Sequence, residues 1–425
     1  MILHLLIAAS ALGEQPTPLQ LIHEARDAWV AENGRTWGKS LVGPLLIVDP
    51  KSHQVWASEA DGEGKLKAAG DIFVGIRDDA ENSSNTAQDW GGKRWSTIVI
   101  PIPDTEPSMR KALLLHESFH RIQPNLNLSA NDEPNNHLDT LEGRVWLTLE
   151  WRALAKAFET KGDTRRSWVA AALACRTQRQ NLFLDAAETE HSLELAEGLA
   201  EYTGLHAVGA RQAVIEKLRK AEGPFARSFA YTAGPAYGLL LDDKVPGWTR
   251  RVRRASDLSV LLRAAYQLNT PSAAEIAAAA KKLGEPDVRA RENVAEQARQ
   301  ERLAVALAPM TNGPFLQTPH ISDLNFNPSN TESIDEVGVY HPTAAYAGKW
   351  GRLTVTAGSL RAHDRAWAKV AAPADSKARP LLGPGWTLEL SPGLSICAAQ
   401  PTGSFVVTEG ASCAHDKIMP NGNTR

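Results

Sequence analysis

The sequence predicts an α+β fold, in which a small β-sheet precedes a mostly helical part and a β-rich domain follows. Between residues 41 and 102, short apolar runs alternate with Asp-Pro and Gly-rich turns, a pattern typical of strands. From residue 108 to about residue 310 the chain is predicted to be mostly helical. After residue 337, short apolar runs again alternate with Gly-Pro turns and predict a second set of strands.

Residues 1–13 are predicted to be a signal peptide. The run Met1–Ala11 is apolar, too short to span a membrane, and followed by polar, proline-containing sequence. Ala9-Ser10-Ala11 offers a small-x-small cleavage site, although a basic n-region is missing. We therefore expect an exported protein, periplasmic or secreted, without stable membrane insertion after cleavage. The alternative is a buried N-terminal helix or strand.

Four segments are predicted after the signal peptide. Residues 14–107 form an N-terminal α/β subdomain that begins with a helix, and residues 108–310 form a helical subdomain. Residues 311–336, rich in Pro, Asn and Thr, are expected to be a linker to a C-terminal β-rich domain at residues 337–425. The strands predicted in the first subdomain are Leu41–Val48, Gln54–Ala57, Asp71–Ile76 and Trp95–Ile102.

Charge and cysteine content exclude several classes of protein. The net charge is −3, from 46 basic and 49 acidic residues, so nothing favours nucleic acid as a partner. Three cysteines are too few for a disulfide scaffold, but Cys397 and Cys413 could pair in an exported protein. No glycine-rich phosphate loop or dinucleotide-binding fingerprint is present in the sequence.

The run His116-Glu117-Ser118-Phe119-His120 lies within a predicted half-buried helix from Met109 to Gln123. Residues i and i+4 share one helix face, so both imidazoles can reach one metal ion. Glu117 points slightly off that face, where it could hold a metal-bound water. We expect Asp104 or Thr105 to cap the helix and Pro124 to end it. The alternative is a pair of histidines satisfied within a helix core.

Four glutamates recur at spacings of four, three and four in a downstream helix that is predicted to end at Gly204. Taken alone, such a stripe is typical of a solvated helix face. However, leucines and alanines fill the rest of the helix, and a metal site with two histidines lacks only a third protein ligand. The stripe consists of Glu190, Glu194, Glu197 and Glu201.

These two helices together resemble the gluzincin metallopeptidases, and locally the aminopeptidase N type. That family pairs His-Glu-x-x-His with a later Glu-Gly-(apolar)-Ala-x-Tyr run, which matches Glu197–Tyr202 here. The resemblance implies a zincin-like catalytic domain in which His116, His120 and Glu197 bind one zinc ion. It also implies that Glu201 hydrogen-bonds a zinc-bound histidine.

The resemblance extends to a tyrosine on a later helix. The family places this tyrosine within Tyr-x-x-Gly, where it stabilises the oxyanion that develops on the substrate. Tyr231-Thr232-Ala233-Gly234 fits the pattern, with Tyr237 as a weaker candidate. A tyrosine that anchors a helix in the core is the alternative.

The chain departs from the family in two places. A long insertion separates His120 from Glu197 and contains a predicted helix pair, at residues 138–158 and 163–182. The Gly-x-Met-Glu-Asn signature that grips a free amino terminus is also missing, because the corresponding region is Asp89–Trp95. Exopeptidase specificity is therefore not supported, and the choice between endo- and exopeptidase stays open.

Four residues are weaker candidates for substrate contact. In zincins the strand before the metal-binding helix often forms the sheet edge that holds an extended substrate, so we expect this of Trp95–Ile102. Gly91 and Gly92 could allow a substrate to approach closely, although a plain hairpin turn explains them better. His137 and Arg144 could line the cleft, whereas capping by Asn136 or Asp139 is the competing explanation.

The resemblance implies an exported zinc metallopeptidase that acts on a peptide or protein. Zinc would activate a water molecule, Glu117 would act as general base, and Tyr231 would stabilise the oxyanion. Two other hypotheses stay open. The chain could be a degenerate zincin that binds metal or a cell-envelope partner through its C-terminal β domain, or a zinc amidohydrolase with a non-peptide substrate.

Overall fold

The computed structural model describes residues 15–80, 83–104, 106–130, 135–220, 223–326, 330–334 and 337–409. The predicted signal peptide and Cys413 lie outside the described residues, so the cleavage and the pairing with Cys397 stay predictions. The fold is α+β with the predicted layout of a small sheet, a helical part and a β-rich C-terminal region. Among the described helices, none is both long and apolar enough to cross a bilayer.

The chain divides into two compact units, residues 1–289 and residues 290–425. The sequence predicts a helical part that extends to residue 310, but the last long helix, Glu285–Thr311, contains the boundary between the units. Most of this helix, from residue 290 onward, belongs to the second unit, where Leu303, Leu307 and Met310 pack against Tyr340.

In the first unit, helix α1 (Pro18–Glu32) is followed by a six-stranded sheet in the order β3-β4-β2-β1-β6-β5. Only β1 and β6 are parallel, and the other neighbours are antiparallel. Successive side chains of a strand point to opposite faces. In β1, Leu45 and Ile47 therefore join the helical core, whereas Leu46 and Val48 join a smaller core with Trp95 on the opposite face. The strands are β1 Leu45–Val48, β2 Gln54–Ala57, β3 Lys67–Ala69, β4 Ile72–Ile76, β5 Thr86–Trp90 and β6 Lys93–Val99.

The strand that precedes the histidine helix is not the edge strand, contrary to our expectation. β6 pairs with β1 on one side and β5 on the other, so β5 is the edge. The physical reason is that β6 presents apolar side chains to both faces, and both Trp95 and Ile98 are fully buried. β5 is polar and half-exposed, as an edge strand can be.

Eleven α-helices are described, and the predicted pair in the insertion is confirmed as α3 and α4. A π-helical turn, Glu194–Gly198, connects α5 to α6. The helices are α1 Pro18–Glu32, α2 Pro107–Ile122, α3 Leu141–Glu159, α4 Gly162–Leu182, α5 Ala186–Leu193, α6 Leu199–Ala207, α7 Arg211–Lys220, α8 Ala230–Asp242, α9 Leu258–Ala265, α10 Ala273–Lys282 and α11 Glu285–Thr311.

The cap of α2 differs from the prediction. Glu106 is the N-cap, and its carboxylate accepts the backbone N–H of Met109 at 3.0 Å. Asp104 instead accepts the N–H of Glu106 at 2.9 Å, and Thr105 lies outside the described residues. Pro107 follows the cap at the first helical position, where a missing N–H costs nothing.

The second unit is a two-layer β structure. Side chains of a seven-stranded sheet, such as Leu316 and Val370, share one core with those of a five-stranded sheet, such as Tyr346 and Leu353. The strands are β7 Phe315–Thr318, β8 Asp323–Phe326, β9 Glu332–Ile334, β10 Gly338–His341, β11 Ala344–Gly348, β12 Gly351–Val355, β13 Ser359–Arg361, β14 Ala368–Ala371, β15 Leu381–Gly383, β16 Trp386–Leu390, β17 Leu394–Ala399 and β18 Ser404–Glu409.

The predicted linker at residues 311–336 is therefore wrong, because β7, β8 and β9 lie within it. β8 and β9 are edge strands of the two sheets, with few buried side chains. An edge strand can be polar on both faces, so its sequence shows no apolar alternation. This is why a Pro-, Asn- and Thr-rich composition resembled a linker.

We expect the second unit to lose stability in mild acid because of His341. This side chain is fully buried, and Arg361 Nε donates to its Nε2 at 3.2 Å. Burial and the neighbouring Arg361 charge lower the pKa of His341 to about 3. The unfolded chain takes up this proton near pH 6.5 and the folded chain does not. The resulting stability is complete above that pH and falls as the pH drops toward 3.

At pH 4.5 the loss should be about 2–3 kcal/mol relative to pH 7. Calorimetry of the whole chain at both pH values should show a smaller pH-dependent loss in His341→Gln. His320→Gln, at an exposed histidine of the same unit, is the control. Equal pH dependence in the wild type and His341→Gln would contradict the expectation.

Candidate metal centre

Helix α2 places the two predicted histidines on one buried face. His116 is 5% exposed, Glu117 is 3% exposed, and His120 is half-buried. The Nε2 atoms of the two histidines lie 3.1 Å apart, because one helical turn separates the residues. Their rings meet edge to face, at an interplanar angle of 69°.

Glu197 approaches the histidine pair from the π-helical turn. Its Oε2 lies 3.5 Å from Nε2 of His116 and 3.4 Å from Nε2 of His120. An ion bound tetrahedrally at 2.0–2.1 Å holds its ligand atoms about 3.3 Å apart. The three donor atoms fit that spacing, so His116, His120 and Glu197 could hold a metal ion. π-Turns are rare in proteins, and those that occur within α-helices are often found at functional sites.

The remaining ring nitrogens are hydrogen-bonded in a way that directs both Nε2 lone pairs to the same point. Nδ1 of His116 donates to Oε2 of Glu201 at 3.0 Å, and Nδ1 of His120 donates to Oε1 of Gln123 at 3.1 Å. A histidine that donates through Nδ1 leaves Nε2 as the atom that binds a proton or, in its place, a metal ion. Gln123 also donates to the carbonyls of Leu195 and Ala196, which ties α2 to the π-turn.

The charges of the site favour a cation at the histidine pair. Burial lowers the pKa of His116, but its hydrogen bonds to Glu197 and Glu201 raise that pKa to about 10. Burial raises the pKa of Glu201, yet His116 and Lys217 lower it to about 2. Lys217 Nζ donates to Oε1 of Glu201 at 2.6 Å. A site that stabilises a proton so strongly also stabilises a metal ion that replaces it.

Glu117 differs from the other carboxylates of the site. One of its oxygens lies 4.0 Å from Nε2 of His116, close to the three donor atoms but outside their cluster. Among the described residues, its Oε2 is buried without a hydrogen-bond partner. Burial raises the pKa of Glu117. A buried carboxylate of raised pKa beside a set of metal-ligand atoms is well suited to accept a proton.

Tyr231 lies at the metal centre rather than in the distant core. Its hydroxyl donates to Oε2 of Glu197 at 2.7 Å, and its ring stacks on His116 at 5.8 Å between centroids. Burial and the Glu197 charge raise the pKa of Tyr231, so the hydroxyl stays a donor. Tyr237, the weaker candidate, is fully buried and donates to Glu150 instead.

Glycines allow the helices of the site to touch. A Cβ on Gly234 would lie 2.3 Å from the Cα of Gly198, so α8 and the π-turn meet backbone to backbone. A Cβ on Gly204 would lie 2.3 Å from the carbonyl oxygen of Ala112 in α2. Gly204 was expected to end its helix, but α6 continues to Ala207. Gly204 serves the close packing of α6 on α2.

The acidic stripe is buried, which excludes a solvated face. Glu197 and Glu201 face the histidines, whereas Glu190 and Glu194 are fully buried against two arginines of α4. Arg176 donates two hydrogen bonds to Glu194, of 2.6 and 2.8 Å. Arg179 donates two to Glu190, of 2.7 and 2.9 Å. Arg179 also donates to the buried Glu150 of α3.

The weaker predicted contacts have structural partners. Gly91 and Gly92 have φ values of 56° and 73° and form the two-residue turn of the β5–β6 hairpin. His137 Nε2 lies 2.9 Å from Glu190 Oε1, which connects His137 to the arginine network. Arg144 is buried and donates to the carbonyl of Asp139.

The cap of α3 also differs from the prediction. Thr140, rather than Asn136 or Asp139, caps the helix by accepting the N–H of Gly143 at 3.1 Å. Asp139 is unavailable because it accepts backbone N–H groups of the segment before α8.

Three residues of the site were not predicted. Gln123 follows His120 by three residues and is the C-cap of α2, so its position on the same face could have indicated the contact. Arg227 precedes Tyr231 by four residues and donates to Oε1 of Glu197 at 2.9 Å. Lys217 carries no signal in the sequence, because it reaches Glu201 from a separate helix.

Comparisons with protein-family models, with curated proteins and with solved structures gave no match to this chain. The resemblance to gluzincins therefore stays a prediction from the motif residues. The site itself has a defined geometry. That geometry comprises three converging donor atoms, a buried carboxylate beside them and a tyrosine hydroxyl 2.7 Å from the third donor.

Proposed function

We propose that this protein is a zinc metallopeptidase that hydrolyses peptide bonds, with Glu117 as general base. The observation that carries the proposal is the convergence of Nε2 of His116, Nε2 of His120 and Oε2 of Glu197. Three protein ligands leave a fourth position, and an open position is characteristic of catalytic rather than structural zinc sites. Two imidazoles and one carboxylate suit zinc better than the oxygen-preferring Mg²⁺ or Ca²⁺.

The residues around the donor atoms have complementary roles. When bound, zinc polarises a carbonyl and lowers the pKa of water from about 15.7 toward about 7. Glu117 accepts the proton of the attacking water and passes it to the leaving amine. Tyr231 stays protonated and supplies a hydrogen bond to the oxyanion once it releases Glu197. Glu201 holds His116 in the tautomer that leaves Nε2 free.

The proposal includes an extended substrate that pairs with the edge strand β5. This strand replaces β6 in the role expected from the sequence, since β6 already has neighbours on both sides. Backbone hydrogen bonds to β5 would hold a peptide independently of most of its side chains. The apolar residues 1–11 support export to the periplasm or the cell exterior as part of the same proposal.

Metal content tests the proposed site directly. The purified mature protein should contain about one zinc per chain, and His116→Ala and Glu197→Ala should each lose it, because two remaining ligands seldom retain zinc. Elemental analysis after dialysis measures this. Glu188→Ala, at an exposed glutamate of α5 near Glu197, is the matched control and should retain the metal.

Zinc retained in full by Glu197→Ala would refute the ligand assignment. If zinc is bound as expected, a peptide library tests the reaction itself. Cleavage within the library supports a peptidase. Cleavage of other amides alone would favour the amidohydrolase, and no turnover would favour a metal-binding protein.

A further inference from the structure

Arg227 gives the two oxygens of Glu197, the third candidate ligand, different partners. Its Nη2 donates to Oε1 of Glu197 at 2.9 Å, while Oε2 faces the Nε2 atoms of His116 and His120. The guanidinium is only partly exposed, with 26% of its side chain accessible. The Glu197 carboxylate thus has one oxygen bound to a cation of the protein. The other oxygen accepts the Tyr231 hydroxyl and is directed to the donor atoms of the two histidines.

The backbone that carries Arg227 is anchored by the polar segment before α3. The carboxylate of Asp139 accepts the N–H of Phe225 at 2.5 Å and that of Ala226 at 3.3 Å. The N–H of Asn135 donates to the carbonyl of Ala226 at 2.7 Å. Three hydrogen bonds from one segment therefore fix the two residues that precede Arg227, and the guanidinium need not search for Glu197.

We propose that Arg227 is a positioning residue that restricts Glu197 to a single metal-binding oxygen. A carboxylate can bind a metal through one oxygen or through both. A hydrogen bond from a charged guanidinium is among the stronger ones in proteins, so it competes with metal binding at Oε1. The inference rests on the proposed function only in requiring that His116, His120 and Glu197 bind a divalent metal.

The consequence concerns the open position of the metal. With Glu197 bound through one oxygen, three protein atoms bind the ion and the fourth position of a tetrahedral site is available to water. With both oxygens bound, the carboxylate would occupy an additional position and crowd the substrate. Arg227 also repels the metal ion by its charge. Replacing Arg227 would therefore change metal affinity both by removing this repulsion and by freeing Oε1 to bind the metal. The coordination number separates these two effects.

Cobalt(II) reports coordination number, because four-coordinate Co²⁺ absorbs visible light more strongly than five-coordinate Co²⁺. The zinc-free full chain is loaded with one equivalent of Co²⁺, and the visible spectrum of the wild type is compared with that of Arg227→Gln. We expect Arg227→Gln to lose intensity as Glu197 Oε1 joins the metal. Arg227→Lys, which keeps a charged donor, should recover most of that intensity.

Arg219→Gln is the matched control, because Arg219 makes a similar ion pair of 2.7 Å with Glu159, outside the metal cluster. Its cobalt spectrum should equal that of the wild type. Far-UV circular dichroism of each variant establishes that the fold is retained. A folded Arg227→Gln with an unchanged cobalt spectrum would overturn the proposal, as would a wild type that binds no Co²⁺.

Peptide hydrolysis by the zinc form is measured separately. A spectral change in Arg227→Gln supports the role of Arg227 even if the wild type cleaves no peptide, which would count against the proposed function alone. Conversely, a wild type that cleaves peptides while Arg227→Gln keeps its spectrum would overturn only the positioning role.

Discussion

The Glu117→Gln variant is expected to keep its zinc and to lose about 10²–10⁴-fold in peptide hydrolysis. Glutamine has the size and shape of glutamate but cannot accept the proton of the attacking water. Glu117 lies beside the donor cluster without belonging to it, so the metal should remain bound. The measurement is kcat/KM on a cleavable peptide, with zinc content determined on the same preparation.

Glu117 is buried, and glutamine fills the same space as glutamate, so the change also carries a low risk of misfolding. Glu188→Gln, at an exposed glutamate of α5, is the control and should be as active as the wild type. Wild-type activity in Glu117→Gln would disprove the mechanism, although not the metal site. Loss of zinc together with activity would instead make Glu117 a ligand.

Removing Arg179 should destabilise the first unit by about 3–5 kcal/mol, the usual effect of breaking a buried ion pair from one side. Arg179 is fully buried and hydrogen-bonds both Glu150 and Glu190. Its charge holds the pKa of Glu190 far below the usual range despite complete burial. In Arg179→Met, two buried carboxylates lose their hydrogen bonds to a guanidinium and keep contacts such as those from His137 and Tyr237. Urea unfolding of the whole chain measures the difference.

Lys156→Met is the matched control, because Lys156 pairs with Glu159 at 2.9 Å on the surface of α3. Surface pairs contribute about 0–1 kcal/mol, so its unfolding should scarcely change. An Arg179→Met variant as stable as Lys156→Met would contradict the expectation. The network joins the inserted helices to the π-turn, so we also expect Arg179→Met to bind zinc more weakly.

The donor atoms of the site could be predicted because their spacing is local. His116 and His120 share a helix face by the geometry of a single turn, and Glu197 lies in a short motif. The π-turn could not be predicted, because an additional residue in a helical turn leaves no mark on apolar periodicity. Arg227 was missed because its contact depends on a segment fixed from the distant Asp139.

In the first unit, the core strands could be predicted and the edge strands could not. β1 and β2 were predicted within a few residues, since their buried side chains form apolar runs. β3, β5, β8 and β9 were missed, and each forms a sheet edge with few buried side chains. The buried strand β7 was missed as well, because it lies in the stretch predicted to be a linker. Backbone pairing stabilises edge strands, and backbone pairing leaves little trace in side-chain composition.

The contact of Gly198 with Gly234 joins the two sequence motifs in one structural feature. Glu-Gly and Tyr-x-x-Gly belong to different helices, yet each glycine is required by the backbone of the other. The two glycines are therefore needed for the crossing of α8 and the π-turn, whereas Glu197 and Tyr231 are needed for the chemistry proposed at that crossing. If the proposed function is correct, a homologue that kept both glycines but lost either side chain would keep the helix crossing without the chemistry. The glycines would then identify the fold, and Glu197 and Tyr231 would identify the homologues expected to be active.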